Sequence, residues 1–230
     1  MYGINTFLMA QTYKVFKGDT INRVDMQGLK QGLWRKYYST DTLFSEGVYK
    51  NNIHTGTFNT YHKNGKIQSS LKFRGMSEIS SAELFYEDGK TMSLGKYIDH
   101  LKDSIWIYFD ESGNKNAEEF YKNGKKEGSW KIYYQNGKAS RITLYQGDKK
   151  NGPYKEFFES GSLKIEAIMI DDEFDGIVKI YNPNGQVWQS GTYIKGLKEG
   201  SWMINKDDGT LEKEEIYKSG ILTNPTADDK

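Results

Sequence analysis

A 24-residue period that runs without insertion along most of the chain is the strongest constraint on its fold. The repeats begin at Gly32, Gly56, Ser80, Ser104, Gly128, Gly152, Gly176 and Gly200. We number positions within each repeat as offsets, with offset 0 at these residues. A fixed period of this length is typical of arrays in which each repeat packs on its neighbours. The sequence therefore predicts a single domain of eight repeats over residues 32–223.

Large aromatic residues and glycines recur at fixed offsets. Offset 2 is occupied by Trp34, Phe58, Ala82, Trp106, Trp130, Tyr154, Val178 and Trp202. Offset 5 is occupied by Tyr37, Tyr61, Phe85, Phe109, Tyr133, Phe157, Tyr181 and Asn205. Offset 17 is occupied by Tyr49, Phe73, Tyr97, Tyr121, Tyr145, Met169, Tyr193 and Tyr217. Offset 9 is Asp41 in the first repeat and otherwise Gly65, Gly89, Gly113, Gly137, Gly161, Gly185 and Gly209, which we interpret as structural turn residues.

Each repeat is predicted to be a β-hairpin, with strands at offsets 1–7 and 10–17. Pairs such as Asn136 and Gly137 at offsets 8 and 9 indicate a two-residue type I′ turn, which needs positive φ at both central residues. That turn would make the offsets of paired residues sum to 17, so a ring at offset 2 would face the often small offset 15. The predicted fold class is all-β: an elongated, open antiparallel meander, solenoid-like, of about eight 24-residue β-hairpin repeats.

The segments outside the eight repeats have separate predictions. Residues 13–31 resemble a degenerate repeat and are predicted to cap the array, and residues 224–230 are predicted to form a flexible tail. Residues 1–12 contain a short apolar run that ends in Ala10. Two interpretations stay open for it: the remnant of a signal peptide, which would imply export to the periplasm, or an ordinary N-terminal strand of a cytoplasmic protein.

Composition removes several classes of function. The chain has no cysteine, which excludes disulfides, thiol catalysis and Cys-ligated zinc. Its net charge of +1 gives no electrostatic reason to expect a nucleic-acid partner. No apolar run approaches the roughly 20 residues of a transmembrane helix. We find no catalytic motif and no cofactor motif, so the sequence indicates neither an enzyme nor a bound cofactor.

The repeat consensus resembles that of a known family. The segment from Gly128 to Lys138, followed by Tyr145, has the pattern Gly-x-Trp-x-x-Tyr-Tyr-x-Asn-Gly-Lys. This pattern is similar to the MORN-repeat variant, whose long bacterial arrays are often described as YwqK-type antitoxins. The opening "INRVDMQGLKQGLWRKYY" also resembles secreted arrays of the Bacteroidetes group. The resemblance implies a β-hairpin array that binds a protein partner, in the antitoxin case a toxin, and no shared catalytic residues. The repeats at Ser80 and Ser104 depart most, because both lack the leading glycine.

The aromatic rows are the main candidate binding feature. Rings at fixed offsets are mainly structural, but an open sheet has too little other material to cover both of its faces. The predicted partner-binding residues are Trp34, Trp106, Phe109, Trp130, Tyr133 and Trp202.

Two further features could bind metal. Asp171, Glu173 and Asp175 in "DDEFDG" have the spacing of a calcium loop, but the loop lacks the bidentate glutamate, and a solvated acidic turn fits as well. His54 and His62 could approach each other around the second hairpin, but no third ligand is evident.

The sequence leaves three functional hypotheses. The first is a non-catalytic protein–protein interaction module, antitoxin-like in its most specific form. The alternative is a binder of glycans or cell-envelope ligands through exposed aromatic rows. The third is an architectural or membrane-associated spacer, against which the near-zero net charge argues. Oligomeric state cannot be read from the sequence.

Overall fold

The fold-class prediction is confirmed, because the described residues form 21 β-strands and no helix. The structure, a computed structural model, describes residues 10–75 and 78–224. Its contacts divide the chain into two compact units, residues 1–113 and 114–230. Within each unit, antiparallel strands pair in chain order as an open meander of hairpins. The predicted signal peptide or N-terminal strand falls mostly on residues 1–9, and most of the predicted tail falls on residues 225–230; both ranges lie outside the described residues.

The first unit contains nine strands, each paired antiparallel with the next. They are β1 (Thr12–Phe16), β2 (Asp19–Val24), β3 (Lys30–Tyr37), β4 (Leu43–Lys50), β5 (Ile53–Tyr61), β6 (Ile67–Phe73), β7 (Ile79–Phe85), β8 (Thr91–Ile98) and β9 (Leu101–Phe109). The hairpin of β1 and β2 corresponds to the predicted capping repeat, and β2 pairs with β3 through Arg23 and Val24.

The second unit contains twelve strands, three of them only two residues long. They are β10 (Lys115–Lys122), β11 (Lys125–Lys126), β12 (Gly128–Tyr133), β13 (Ala139–Gln146), β14 (Lys149–Phe157), β15 (Leu163–Ile170), β16 (Glu173–Phe174), β17 (Gly176–Tyr181), β18 (Val187–Ile194), β19 (Leu197–Asn205), β20 (Leu211–Lys218) and β21 (Ile221–Leu222). The short strands β11 and β16 precede bulges, so β10 also pairs with β12 and β15 also pairs with β17.

The predicted register is confirmed over offsets 0–4 of the hairpins. In the repeat at Gly128, offset 0 pairs with Tyr145 at offset 17, and Trp130 pairs with Thr143 at offset 15. The same sum of 17 holds in the hairpins of β3 with β4, β14 with β15, β17 with β18 and β19 with β20. The residues at offsets 2, 15 and 17 therefore share one face, which we call the ladder face.

A β-bulge between successive repeats carries the ring at offset 2 onto the preceding strand. Where β4 pairs with β5, Glu46 pairs with Asn59 and Val48 pairs with Thr55, so one residue of β4 faces three residues of β5. The same irregularity recurs between β8 and β9, β13 and β14, and β18 and β19. The bulge begins at offset 0, where Gly56 has a φ of 68°. Glycine adopts this conformation without the steric cost that a side chain adds.

Small residues at offset 15 make room for these rings. A Cβ added to Gly95 would lie 2.2 Å from Cδ2 of Trp106, and one added to Gly191 would lie 2.3 Å from the same atom of Trp202. The sequence predicts this pairing of a large ring with a small residue. The ring that covers each glycine, however, belongs to the next repeat along the chain.

The prediction of a type I′ turn at offsets 8 and 9 is wrong. In the repeat at Gly128, Tyr134 N donates to Lys138 O (2.8 Å) and Gly137 N donates to Tyr134 O (2.9 Å), which defines a three-residue loop. Only Gly137 has a positive φ there (81°), as expected for a type I turn followed by a left-handed glycine. The extra loop residue shifts the register, so Tyr133 at offset 5 pairs with Ala139 at offset 11.

The type I′ turns lie instead between repeats, at offsets 19 and 20. Both central residues have positive φ at Asn123 and Gly124 (50° and 79°) and at Asp171 and Asp172 (50° and 75°). These two-residue turns connect one repeat to the next. The same residue types, Asn, Asp and Gly, thus form two different kinds of turn, one at each end of the strands.

Side chains of the three-residue turns bind the following repeat. Asn136 Oδ1 accepts from Lys138 N (2.9 Å), and its Nδ2 donates to Glu159 O of the next repeat (2.9 Å). Tyr134 OH donates to Phe157 O (2.7 Å). Equivalent bonds are made by Tyr38, Tyr86, Asn64 and Asn184. These bonds explain why the motif reads Tyr-x-Asn-Gly: its polar groups join neighbouring repeats.

Substituting Gly191 by alanine is expected to destabilise the second unit by about 1–3 kcal/mol, because the new methyl group overlaps the ring of Trp202. The measurement is the midpoint and slope of urea denaturation. Ser190→Ala, on the same strand but the opposite face, serves as the control and should change stability by less than about 0.5 kcal/mol. Equal midpoints for the two variants would contradict the ring-over-glycine contact.

Substituting Asn136 by aspartate is expected to cost about 0.5–1.5 kcal/mol, because it keeps the acceptor for Lys138 N but replaces the donor to Glu159 O. Gln135→Glu adds the same charge to an exposed neighbour in the same turn. The comparison of the two denaturation midpoints isolates the inter-repeat bond. A loss as large in Gln135→Glu would assign the effect to charge alone.

Candidate functional site

Two of the predicted partner-binding rings are enclosed by the protein. Trp106 is 0 % exposed and Trp202 is 1 % exposed. Their indole Nε1 atoms donate to the backbone oxygens of Lys96 (3.1 Å) and Thr192 (3.2 Å) in the preceding strand. Both rings therefore serve packing between repeats and present no open surface.

The rings of Trp34 and Trp130 are half-buried, and a lysine covers each of them. Lys30 Nζ lies 4.8 Å from the centroid of the Trp34 ring, and Lys126 Nζ lies 4.6 Å from that of Trp130. These are cation–π contacts. The lysine at offset 22, two residues before the next repeat, thus occupies the ring face that the sequence assigned to a partner.

Phe109 and Tyr133 at offset 5 are also half-buried and take part in contacts between strands. The backbone oxygen of Phe109 accepts a hydrogen bond from Tyr86 OH (2.7 Å). Lys115 Nζ lies 4.3 Å from the centroid of the Tyr133 ring. Burial, reinforced by a hydrogen bond to Glu118, raises the pKa of Tyr133. A similar Tyr–Glu bond joins Tyr61 to Glu46 (2.6 Å).

Two of the three acidic residues of the candidate calcium loop, Asp171 and Asp175, have protein partners. Asp171 Oδ1 lies 3.2 Å from Lys149 Nζ, and Asp175 Oδ2 accepts from Lys195 N (3.2 Å). Glu173 is exposed on β16. Within residues 10–75 and 78–224, no three His, Cys, Asp or Glu side chains come together in a way that could hold a metal ion. The calcium hypothesis stays a prediction, to be tested in solution.

The face opposite the ladder face carries an exposed aliphatic stripe in the second unit. Its members lie at offsets 1, 16, 18 and 21 of the repeats. We call the aliphatic stripe the set of eight side chains, 37–71 % exposed, formed by Leu144, Ile168, Ile170, Ile177, Ile194, Leu197, Ile216 and Ile221. The sequence analysis did not single out these residues, because both faces of the sheet carry apolar side chains.

Strand alternation explains why the stripe is exposed. On β15, Ala167 and Met169 are buried on the ladder face, and Ile168 and Ile170 between and after them point to the other face. Ile194 pairs directly with Leu197 across the type I′ turn. The stripe therefore crosses from β18 to β19 at this turn.

A cavity of about 600 Å³ opens on the ladder face of the first unit, where the repeat at Ser80 departs from the consensus. It is lined by Thr60, His62, Gln68, Ser69, Leu71, Phe73, Glu78, Ser80, Leu84, Phe85, Tyr86, Glu87, Met92, Tyr97 and His100. Pockets of this size are typical of ligand sites. Burial raises the pKa of Tyr97 in its wall.

Two of the three histidines, His54 and His100, lie close together beside this cavity, a pairing that the sequence did not predict. The ring of His54 lies 6.4 Å from that of His100 and stacks on Phe73 with centroids 4.9 Å apart. His62 Nε2 instead lies 3.0 Å from Phe85 O, at the other end of the lining. Burial lowers the pKa of His54; His100 and Lys30 act in the same direction, and Glu78 opposes them.

The fold and its contacts define a β-hairpin repeat protein whose repeats complete one another. Comparison with known families identifies the repeats: the MORN repeat variant matches residues 30–51, 55–74, 102–123, 126–146, 150–171 and 174–195. These segments cover more than half of the chain, which therefore belongs to the MORN repeat variant family. Repeats of this family are generally non-catalytic and are associated with binding to proteins or membrane lipids. A search of curated proteins found no match.

The family match also separates regular repeats from irregular ones. It includes the repeat at Ser104 but leaves out the repeats at Ser80 and Gly200. Ser104 has a φ of 62° and keeps the bulge, whereas around Ser80 the strands pair without one. Among the described residues there is no helix with the length and apolarity needed to cross a membrane.

The lowered pKa of His54 predicts a pH-dependent stability. Because the folded state holds the proton less tightly than the unfolded chain, stability is complete above the unfolded pKa of about 6.5 and falls as the pH drops below it. His54→Phe keeps a ring on Phe73 and removes the titration. The loss of thermal stability between about pH 7 and about pH 5 should therefore be smaller in this variant than in the wild type. His100→Gln, at a side chain that is 71 % exposed, removes only a secondary cause of the lowered pKa of His54 and should have a smaller effect; an equal effect would contradict the assignment.

Proposed function

We propose that the protein is a non-catalytic repeat module that binds a protein partner through the aliphatic stripe. The observation that carries this proposal is the exposure of eight aliphatic side chains on one face of the second unit, with Ile177 at 64 % and Ile221 at 71 %. Monomeric proteins rarely leave contiguous apolar patches larger than a few hundred Å² in water, and such patches usually mark interaction sites.

The stripe fits a protein better than a small ligand. Its exposed side chains are spread over several strands of the sheet, and burial of flexible aliphatic side chains is the main favourable term in protein association. The general association of this repeat family with binding supports the same conclusion.

An antitoxin-like role, in which the partner is a toxin, is the most specific form of this proposal. It rests on the resemblance of the repeats to YwqK-type arrays. The glycan alternative has less support, because the rings that would stack on sugars are enclosed at Trp106 and Trp202 and covered by lysines at Trp34 and Trp130.

The double variant Ile177→Lys and Ile216→Lys tests the proposal, because it places two charges in the stripe without touching the ladder face. Quantitative affinity capture from the source cells, followed by mass spectrometry, should recover a specific protein with the wild type and lose at least about 90 % of it with the variant. The purified partner should then bind the double variant with an affinity at least about tenfold lower than its affinity for the wild type.

Leu211→Lys is the matched control, since Leu211 is 57 % exposed in the same unit but lies outside the stripe. This control should retain the partner. Equal recovery with the double variant, or no protein that distinguishes it from the control, would contradict the proposal. A captured toxin whose activity the protein suppresses would establish the antitoxin form.

A further inference from the structure

Three positions of a repeat build one rung of the ladder face: offset 0, offset 2 and the residue two positions before offset 0. The repeat at Ser80 departs from the regular pattern at all three. Offset 0 is Ser80 and offset 2 is Ala82, so both the left-handed glycine and the ring are missing. Phe73 pairs with Ser80, and Leu71 pairs with Ala82, without the bulge that elsewhere swings a ring over the preceding strand. The rung is therefore incomplete.

The residue two positions before the repeat differs as well. In the four repeats with a tryptophan at offset 2, this position holds a lysine over that ring, with Nζ 4.6 Å from the ring centroid for Lys102 over Trp106 and 4.2 Å for Lys198 over Trp202. In the repeat at Ser80 the position holds Glu78. A carboxylate thus stands where each tryptophan-containing rung places a positive charge.

A second repeat without a ring at offset 2 shows how such a loss is compensated. The repeat at Gly176 has Val178 at offset 2, and Phe174 lies two residues before Gly176. The Phe174 ring lies 5.5 Å from Tyr154 and 5.6 Å from Tyr193, so the row of rings continues. Glu78 supplies no ring, and the cavity described above lies at that point.

The strand register sets the width of this gap. Phe73, Ser80 and Tyr97 are paired neighbours on β6, β7 and β8. With strands spaced about 4.8 Å apart, the backbones of Phe73 and Tyr97 are separated by ~9.6 Å. A ring placed above Ser80 would lie about 4.8 Å from each, within the range of roughly 4.5–7 Å that aromatic pairs prefer.

The two aromatic walls are supported from outside. His54 stacks on Phe73 at 4.9 Å, and Trp106 packs against Tyr97 at 4.9 Å. Each of these two rings thus contacts a neighbouring ring and also lines the cavity, Phe73 with 7 % of its surface exposed. Because these contacts fix the walls, the gap between them is preformed, and a ring that enters would lose little free energy in ordering the site.

The charge of the cavity is negative. Its lining in the described structure includes the carboxylates of Glu78 and Glu87 and contains no lysine or arginine. Glu78 Oε2 is buried and has no hydrogen-bond partner of good geometry among the described residues, although His100 Nε2 lies 3.3 Å from it. A buried carboxylate oxygen of this kind gains most from a positive charge that enters the site.

We propose that this cavity binds an aromatic side chain of a protein partner together with a lysine or arginine next to it in the partner's sequence. The ring takes the place between Phe73 and Tyr97, and the positive charge meets Glu78. The partner thereby supplies the ring and the cation that each of the four tryptophan-containing rungs holds within the chain. The proposal rests on the proposed function in taking the ligand to be a protein, but it concerns a different surface from the aliphatic stripe.

The probes are three short peptides titrated against the full chain: N-acetyl-Trp-Lys-amide, N-acetyl-Trp-Glu-amide and N-acetyl-Ala-Lys-amide. The readout is the NMR signal of the Met92 methyl group, since Met92 lines the cavity. The Trp-Lys peptide should shift this signal and saturate. The Ala-Lys peptide should leave it unchanged, and the Trp-Glu peptide should bind at least about threefold more weakly.

Two variants and their matched controls locate the site. Leu84→Trp fills the cavity from its lining and should abolish the Met92 shift, whereas Ile132→Trp, at the same offset in the second unit, should not. Glu78→Gln should weaken binding of the Trp-Lys peptide about two- to fivefold and remove its preference over Trp-Glu. Glu166→Gln is the matched control, because Glu166 forms an ion pair with Lys155 in the second unit, and it should have no effect.

Several results would overturn the proposal. These are equal binding to Leu84→Trp and Ile132→Trp, equal affinity for the Trp-Lys and Trp-Glu peptides, or no saturable shift at Met92. Tighter binding of free tryptamine than of the Trp-Lys peptide would reassign the cavity to a small amine and also overturn it. The double variant Ile177→Lys and Ile216→Lys should bind the Trp-Lys peptide as the wild type does. The test of the cavity is therefore independent of the test of partner binding by the aliphatic stripe.

Discussion

The contact on which the structure depends is an aromatic ring laid over a small residue of the preceding strand. A left-handed residue at offset 0 starts the bulge, and the ring at offset 2 crosses to a glycine such as Gly95 or Gly191. The indole N–H then bonds to a backbone oxygen of that strand, and a lysine covers the ring. Each repeat is thus completed by its neighbour, which is why the ladder face needs no second layer of structure.

Much of this architecture could be predicted from the sequence, because a strict period places equivalent residues in equivalent positions. The strand pairing and the match of a large ring to a small residue both followed from it. The turn types did not, because Asn, Asp and Gly suit a type I′ turn and a type I turn with a left-handed glycine equally well. The three-residue loop forms at Asn136 and also at Asp88 and Ser160, so the residue at offset 8 does not decide the turn type, and the bond from Asn136 to Glu159 of the next repeat is not visible in local sequence.

The candidate surfaces were harder to predict for a related reason. Aromatic residues at fixed offsets suggested an exposed row, but a ring that repeats in register can cover its neighbour, as Trp106 and Trp202 do. The isoleucines of the aliphatic stripe alternate with buried residues such as Ala167 and Met169 on the same strand. Sequence periodicity shows that the two faces differ, but it does not show which of two apolar faces is covered.

The irregular repeat at Ser80 shows how a repeat protein can separate folding from binding. In the rungs of Trp106 and Trp202 the ring, the indole N–H and the covering lysine are all engaged in contacts within the array, so substitution there mainly alters stability. Ser104 lacks the glycine and yet keeps its bulge, its ring and its lysine, which shows that one departure is tolerated without opening the ladder. Val178 loses the ring, but Phe174 replaces it. Where Ser80, Ala82 and Glu78 occur together, ring and cation are both absent, and a cavity lined by Phe73 and Tyr97 opens in the ladder face.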